Sequence, residues 1–247
     1  MNFVVAKDYA EMSRLAADVV AEQIRAKDDC VLGLATGSTP VGLYAELVKD
    51  YQAGKLSFKG VSTYNLDEYR GLPAEHEQSY RYFMNKHLFE QVDIDINATH
   101  LPDGMNLDMD DACSSYEAAI KAAGGIDLQL LGLGHNGHIG FNEPNTCYAR
   151  ETNCVELTIS TIRANSRLFN SIDEVPTHAY TMGVGSIMRA HRVLVVASGE
   201  DKAEIVRRAF YGRVSPDVPA SVLQFHHDLT VIVDEAAASL CDGTIML

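Results

Sequence analysis

Five short apolar runs constrain what this chain can become: CVLGLA (30–35), VSTYNL (61–66), IDLQLLGLG (126–134), HRVLVVAS (191–198) and LTVIVD (229–234). Each reads as a buried strand. Between them lie stretches with helical spacing. Residues 8–26 place Met12, Leu15, Ala16, Val19, Val20 and Ile24 on one face, with Asp8 and Glu11 spaced like a capping box. Pro40 suits the opening of a helix that VGLYAELVKDY continues, and 78–92, 110–124 and EDKAEIVRRAFYG follow as further helices. Strands alternating with amphipathic helices predict an α/β fold: an open, mostly parallel sheet with helices on both faces, Rossmann-like in a modified form. The polar, less regular segment 145–180 is expected to be a mobile lid. No repeat, low-complexity tract or linker interrupts the chain, so residues 1–247 are read as a single domain.

Composition narrows the function classes. Hydrophobic residues make up 47% of the chain and charged residues 22%, as in ordinary globular proteins. No apolar run reaches the ~18 residues of a membrane span, and MNFVVAKDYAEM is too short in apolar residues for a secretory signal. The five cysteines (Cys30, Cys113, Cys147, Cys154, Cys241) form no C-x-x-C pair, which fits reduced thiols in the cytoplasm and disfavours a thiolate metal site. A net charge of −14 makes nucleic acid and anionic membranes poor partners. An anionic ligand would have to be met by locally placed cations.

The polar clusters TGSTP, DEYRGL, HNGHIGFNEP and SGEDK each directly follow a predicted strand. Strand carboxyl ends share one edge of a parallel sheet, where ligands bind, so four distant clusters are expected to converge. In ATGSTP, Gly37 lets the backbone approach a ligand, Ser38 and Thr39 offer hydroxyls, and a helix start favours an anion; an ordinary strand-to-helix turn is the alternative. NLDEYRGL carries adjacent carboxylates, Asp67 and Glu68, of which one could serve as a general base. A solvated turn, or Glu68 paired with Arg70, is the alternative. In HNGHIGFNEP, His135 and His138 lie three apart across a glycine, unlike the four-residue helical spacing of zinc histidines. A histidine and Glu143 in one tight loop suit proton transfer better, beside the alternative of a satisfied polar loop. Arg163 and Arg167 are four apart and share a face if helical, and Lys202 follows a strand; these are candidate phosphate ligands unless they pair with surface acids.

Taken in order, LGLATGSTPVGLY, YNLDEYRGL, LLGLGHNGHIGFNEP, TIRANSR and LQFH resemble the glucosamine-6-phosphate deaminase family from about residue 30 to about residue 234. The resemblance implies conversion of glucosamine 6-phosphate and water to fructose 6-phosphate and ammonia, with neither metal nor organic cofactor. It implies that His138 opens the sugar ring with Glu143 and Asn136 assisting, and that Asp67 moves a proton from C2 to C1. Gly37, Ser38, Thr39, Arg167 and Lys202 would hold the phosphate, and Gly137 and His226 would be weaker substrate contacts. One branch of the family has aspartate at the position of Asn136, which here can accept a hydrogen bond but cannot neutralise an imidazolium. Two other readings stay open: a 6-phosphogluconolactonase, and a sugar-phosphate-sensing effector domain of a transcription regulator. Hexameric members that respond to N-acetylglucosamine 6-phosphate use basic residues shortly after NEP and a longer C-terminal segment. Here Asn153 and Val155 stand at those basic positions and Arg150 is the one cation of NTCYARETNCVEL. The expectation is an enzyme without that activation, as a monomer or small homo-oligomer, whose partner is a small sugar phosphate.

Overall fold

A computed structural model of the protein describes residues 1–158, 162, 169 and 171–241. Among the described residues ten strands form two sheets. Asn2–Ala6 (β1), Val31–Leu34 (β2), Ser62–Asn65 (β3), Thr99–His100 (β5), Leu128–Gly132 (β6), Arg192–Ala197 (β9) and Leu229–Asp234 (β10) make a seven-stranded sheet in the order β1-β10-β9-β6-β2-β3-β5. Every pairing in it is parallel. Asp67–Tyr69 (β4), Asn153–Glu156 (β7) and His178–Thr181 (β8) make a small antiparallel sheet in the order β4-β8-β7. Helices are Tyr9–Ala26 (α1), Val41–Gln52 (α2), Tyr80–His87 (α3), Met109–Ala122 (α4), Val184–Met188 (α5) and Ala203–Phe210 (α6).

The five expected strands lie where the apolar runs put them. All four residues of β2 are buried, as are five of six in both β9 and β10, so side chains pointing to either face are covered. This is the open parallel sheet with two helical faces that the alternation predicts. Asp8 caps α1 by accepting from Glu11 N at 2.9 Å, while Glu11 Oε2 accepts from Lys7 N at 2.8 Å, one residue before the cap. The helix expected over 78–92 is shorter: α3 stops at His87 and the chain turns through a 3₁₀ segment, Phe89–Gln91.

The segment 145–180, expected as an irregular lid, contains β7 and most of β8, and Asn153 and Asp67 both face Thr181 in that small sheet. Its Phe169 stacks on His76 with ring centroids 5.5 Å apart. Arg163 and Arg167 lie outside the described residues. No helix among the described residues is long and apolar enough to cross a membrane.

Strand order locates the site. From β2 the chain runs outward through β3 to β5, then returns to β6 on the other side of β2 and continues to β9 and β10. The direction of winding reverses between β2 and β6. Loops leaving their carboxyl ends part there, and such a switch point opens a crevice.

Candidate active site

The crevice is a cleft of about 590 Å³. Its walls carry Gly37, Ser38 and Thr39 after β2, Asp67 after β3, His135 and His138 after β6 and Lys202 after β9. The four polar clusters therefore converge as their positions after strands predict. Phe83 and Tyr80 of α3 and Phe169 supply apolar lining.

The TGSTP loop is held from below by Tyr9. Its phenolic oxygen accepts from Gly42 N at 2.8 Å, and its hydroxyl faces the carbonyls of Ser38 and Thr39 at 3.2 and 3.1 Å. Gly37 sits at φ +97, a left-handed conformation that a side chain would strain, and a Cβ there would meet nothing. The constraint on Gly37 is thus the turn itself.

Asp67 and Glu68 are adjacent and both buried, yet their surroundings differ completely. Glu68 accepts three backbone N–H bonds, from Tyr69 and Tyr80 at Oε1 (2.8 and 3.0 Å) and from Arg81 at Oε2 (2.9 Å). It closes the start of α3 together with Ser79, which accepts from Tyr82 N. It does not pair with Arg70, whose guanidinium donates to Tyr180 Oη and to the Leu107 carbonyl. Asp67 receives no hydrogen bond from any described residue. Burial without a donor, reinforced by the neighbouring charge of Glu68, pushes its carboxyl from an ordinary 3.8 up to about 8. A carboxylate so placed is a poor structural element and a strong base.

The loop after β6 delivers the second group. His138 Nδ1 faces Glu143 Oε1 at 3.4 Å, long for a hydrogen bond. Asn136 ties the pair together: its Nδ2 donates to Glu143 Oε2 at 2.5 Å, and its Oδ1 accepts from the backbone N–H of His138 at 3.1 Å. Asn136 thus orients His138 through the backbone and through Glu143, not through the imidazole. Burial raises the Glu143 carboxyl, but bonding to His138 and Asn136 outweighs it, and the net effect holds the group below its ordinary value. The imidazole lies directly over Gly134, where any Cβ would overlap the ring. Two residues beyond His138, a Cβ at Gly140 would approach Asp67 Oδ2 at 3.4 Å. The same loop therefore borders both the base and the histidine.

Two expected contacts lie elsewhere. Gly137 sits at φ +86 with Val218 and Ile205 packed where a Cβ would go, and its carbonyl accepts from Ala220 N at 2.8 Å. It shapes the turn from behind the cleft wall. His226 is buried, with Nε2 2.9 Å from the Ala190 carbonyl and Nδ1 accepting from Asp228 N at 3.1 Å. It lies just before β10, whose carboxyl end points to the cleft, so the structure places His226 at the opposite edge of the sheet. Sequence reasoning assigned no role to Gly134, Gly140, Phe169 or the partnership of His135 with Asp201. Among the described residues no three His, Cys, Asp or Glu side chains converge as a metal site.

An open α/β sheet with an acid–base cleft at its switch point defines the general class. The chain matches, over residues 6–232, the family described as glucosamine-6-phosphate isomerases/6-phosphogluconolactonase, and it belongs to that family. It is 52% identical over 240 residues to the glucosamine-6-phosphate deaminase of Clostridium perfringens (strain SM101 / Type A), covering 97% of this chain and 99% of the relative. Identity to the glucosamine-6-phosphate deaminase of Clostridioides difficile (strain 630) is 54% over 239 residues, covering 97% and 96%. A solved structure of a monomeric glucosamine-6-phosphate deaminase superposes with a TM-score of 0.93 at 44% identity, covering 97% of this chain and 100% of that one. The 6-phosphogluconolactonase from Trypanosoma cruzi, at 20% identity and a TM-score of 0.76 over 96% of each chain, shares the fold.

Proposed function

We propose that this protein is an enzyme of amino sugar catabolism that converts D-glucosamine 6-phosphate and water to D-fructose 6-phosphate and ammonium. The observation that carries the reading is a buried Asp67, without a donor among the described residues, bordered by the loop that holds the His138–Glu143 pair. Proton abstraction beside an imine or carbonyl needs a positioned carboxylate, and a cyclic sugar needs an acid–base group at its ring oxygen first.

His138 moves the proton between the C1 hydroxyl and the ring oxygen, with Glu143 and Asn136 fixing its orientation. In the open chain Asp67 takes the proton from C2 and returns it at C1 through a cis-enolamine. Water then adds at C2 and ammonium leaves. The substrate's own ammonium draws the Asp67 carboxylate toward its ionised form, since an opposite charge nearby favours it. Ser38, Thr39, the Gly37 backbone and Lys202 hold the phosphate, joined by Arg167 as the family resemblance implies. No step needs a metal or an organic cofactor. The protein works in the cytoplasm as a monomer or small homo-oligomer, without nucleic acid or membrane partners.

The test is a coupled assay on glucosamine 6-phosphate that follows fructose 6-phosphate and ammonium together. Equal release of both supports the reading. Hydrolysis of 6-phosphogluconolactone with no ammonium from the amino sugar overturns it in favour of the lactonase.

A further inference from the structure

We propose that His135 is a positioning residue for the phosphate end of the cleft, holding Lys202 through a neutral imidazole that is itself anchored by Asp201. This inference rests on the sugar-phosphate reading of the cleft.

Three side chains from two loops make one chain of contacts. Lys202 Nζ lies 3.2 Å from His135 Nδ1, and His135 Nε2 lies 2.6 Å from Asp201 Oδ2. Only one arrangement of protons satisfies both. An ammonium can donate but not accept, so Nδ1 is the acceptor, and an ionised carboxylate can only accept, so Nε2 carries the hydrogen. The imidazole is then neutral. Strands β6 and β9 are neighbours, which brings residues far apart in sequence within reach at their carboxyl ends. The loop bearing Lys202 is fixed from its other side by Asp234, which accepts from Ser198 Oγ at 2.5 Å and Gly199 N at 3.1 Å.

The choice of partner matters for an anion site. A carboxylate bound to Lys202 would cancel the charge that a phosphate needs. A neutral acceptor holds the amine in place and leaves its full charge and two N–H bonds for the ligand. His135 and Lys202 both line the cleft, and Lys202 makes no ion pair with any described carboxylate. The negative charge of Asp201 is kept on the far side of the ring.

The experiment uses His135→Ala, His135→Asn and Lys202→Ala in the full chain, with inorganic phosphate as the probe and thermal melting as the fold check. His135→Ala is expected to weaken phosphate binding and raise KM for glucosamine 6-phosphate about 3- to 10-fold, the range of one neutral hydrogen bond, with kcat changed far less. His135→Asn keeps an acceptor at the Nδ1 position and should recover much of the loss. In a Lys202→Ala background, His135→Ala should add little, because the effect runs through the amine. Unchanged phosphate binding in a folded His135→Ala protein overturns the inference, and so does a loss confined to kcat. Weakened phosphate binding in a protein that releases no ammonium would retain the inference and remove the reaction.

Discussion

His138 Nδ1 lies 3.4 Å from Glu143 Oε1, and the other oxygen of that carboxylate is bound by Asn136. The histidine therefore has a carboxylate behind it and the open cleft in front. A proton can be shuttled at the front nitrogen while Glu143 supports the charge that develops on the ring.

This geometry separates ring opening from the later proton transfer. His138→Gln should slow turnover of the cyclic substrate while retaining, in the presence of ammonium, exchange of a C1 proton of fructose 6-phosphate with solvent, because the open keto form bypasses the first step. Proton exchange followed by NMR in deuterated water gives the comparison. Equal loss of both reactions would show that His138 is not specific to ring opening.

Lys202 lines the same cleft as Ser38 and Thr39, while Arg167 comes to the site through sequence resemblance. Lys202→Ala and Arg167→Ala should act mainly on KM, because the phosphate does not react. A charge-assisted hydrogen bond is worth about 1.5–3 kcal/mol, or roughly 10- to 150-fold in binding. Initial rates at limiting substrate measure this. Wild-type rates there would place both residues outside the site.

The fold was legible because its signals are local. The apolar runs at 30–35 and 229–234 could be read as strands from composition alone, and α1 announced itself through periodicity and Asp8. The small sheet was not legible: β4 has three residues, β7 is polar and half-exposed, and their pairing through β8 is fixed by contacts far along the chain. Edge strand β1 hid for a similar reason, with only Ala6 fully buried. At the site, residue types were visible but partners were not. The division of labour between Asp67 and Glu68 depends on where α3 begins, and the link from Asp201 to His135 spans two loops.

No activation by N-acetylglucosamine 6-phosphate is expected. Asn153 and Val155 line a second cavity of about 300 Å³ whose described walls include Glu143 and Glu156 but no lysine or arginine. Such a cavity offers an effector phosphate little, and an effector must bind two states unequally to shift them. Saturation curves should be hyperbolic with or without the compound. A sigmoidal curve made hyperbolic by it would contradict this.

The raised Asp67 carboxyl sets two pH dependences. As the active form is the ionised one, kcat/KM, which reports the free enzyme, should rise with pH toward an inflection near 8. For stability the sign runs the other way. Between 3.8 and about 8 the unfolded chain has released this proton and the folded protein still holds it, so Asp67 lowers stability progressively as pH rises through that window. Asp67→Asn removes the titration. Its stability advantage over the wild type, measured by denaturant unfolding at pH 5 and pH 8, should be larger at pH 8. An advantage that does not change with pH would mean that Asp67 is not buried as an acid.

The most direct measurement is turnover of glucosamine 6-phosphate by the wild type and Asp67→Asn side by side, following ammonium and fructose 6-phosphate. The wild type should release the two in equal amounts. The variant should fold, bind substrate and lose kcat by roughly 100- to 10,000-fold, the usual contribution of a general base. A wild type that releases no ammonium, or a variant that keeps about a third or more of kcat, would contradict the account, since a general base contributes far more than that.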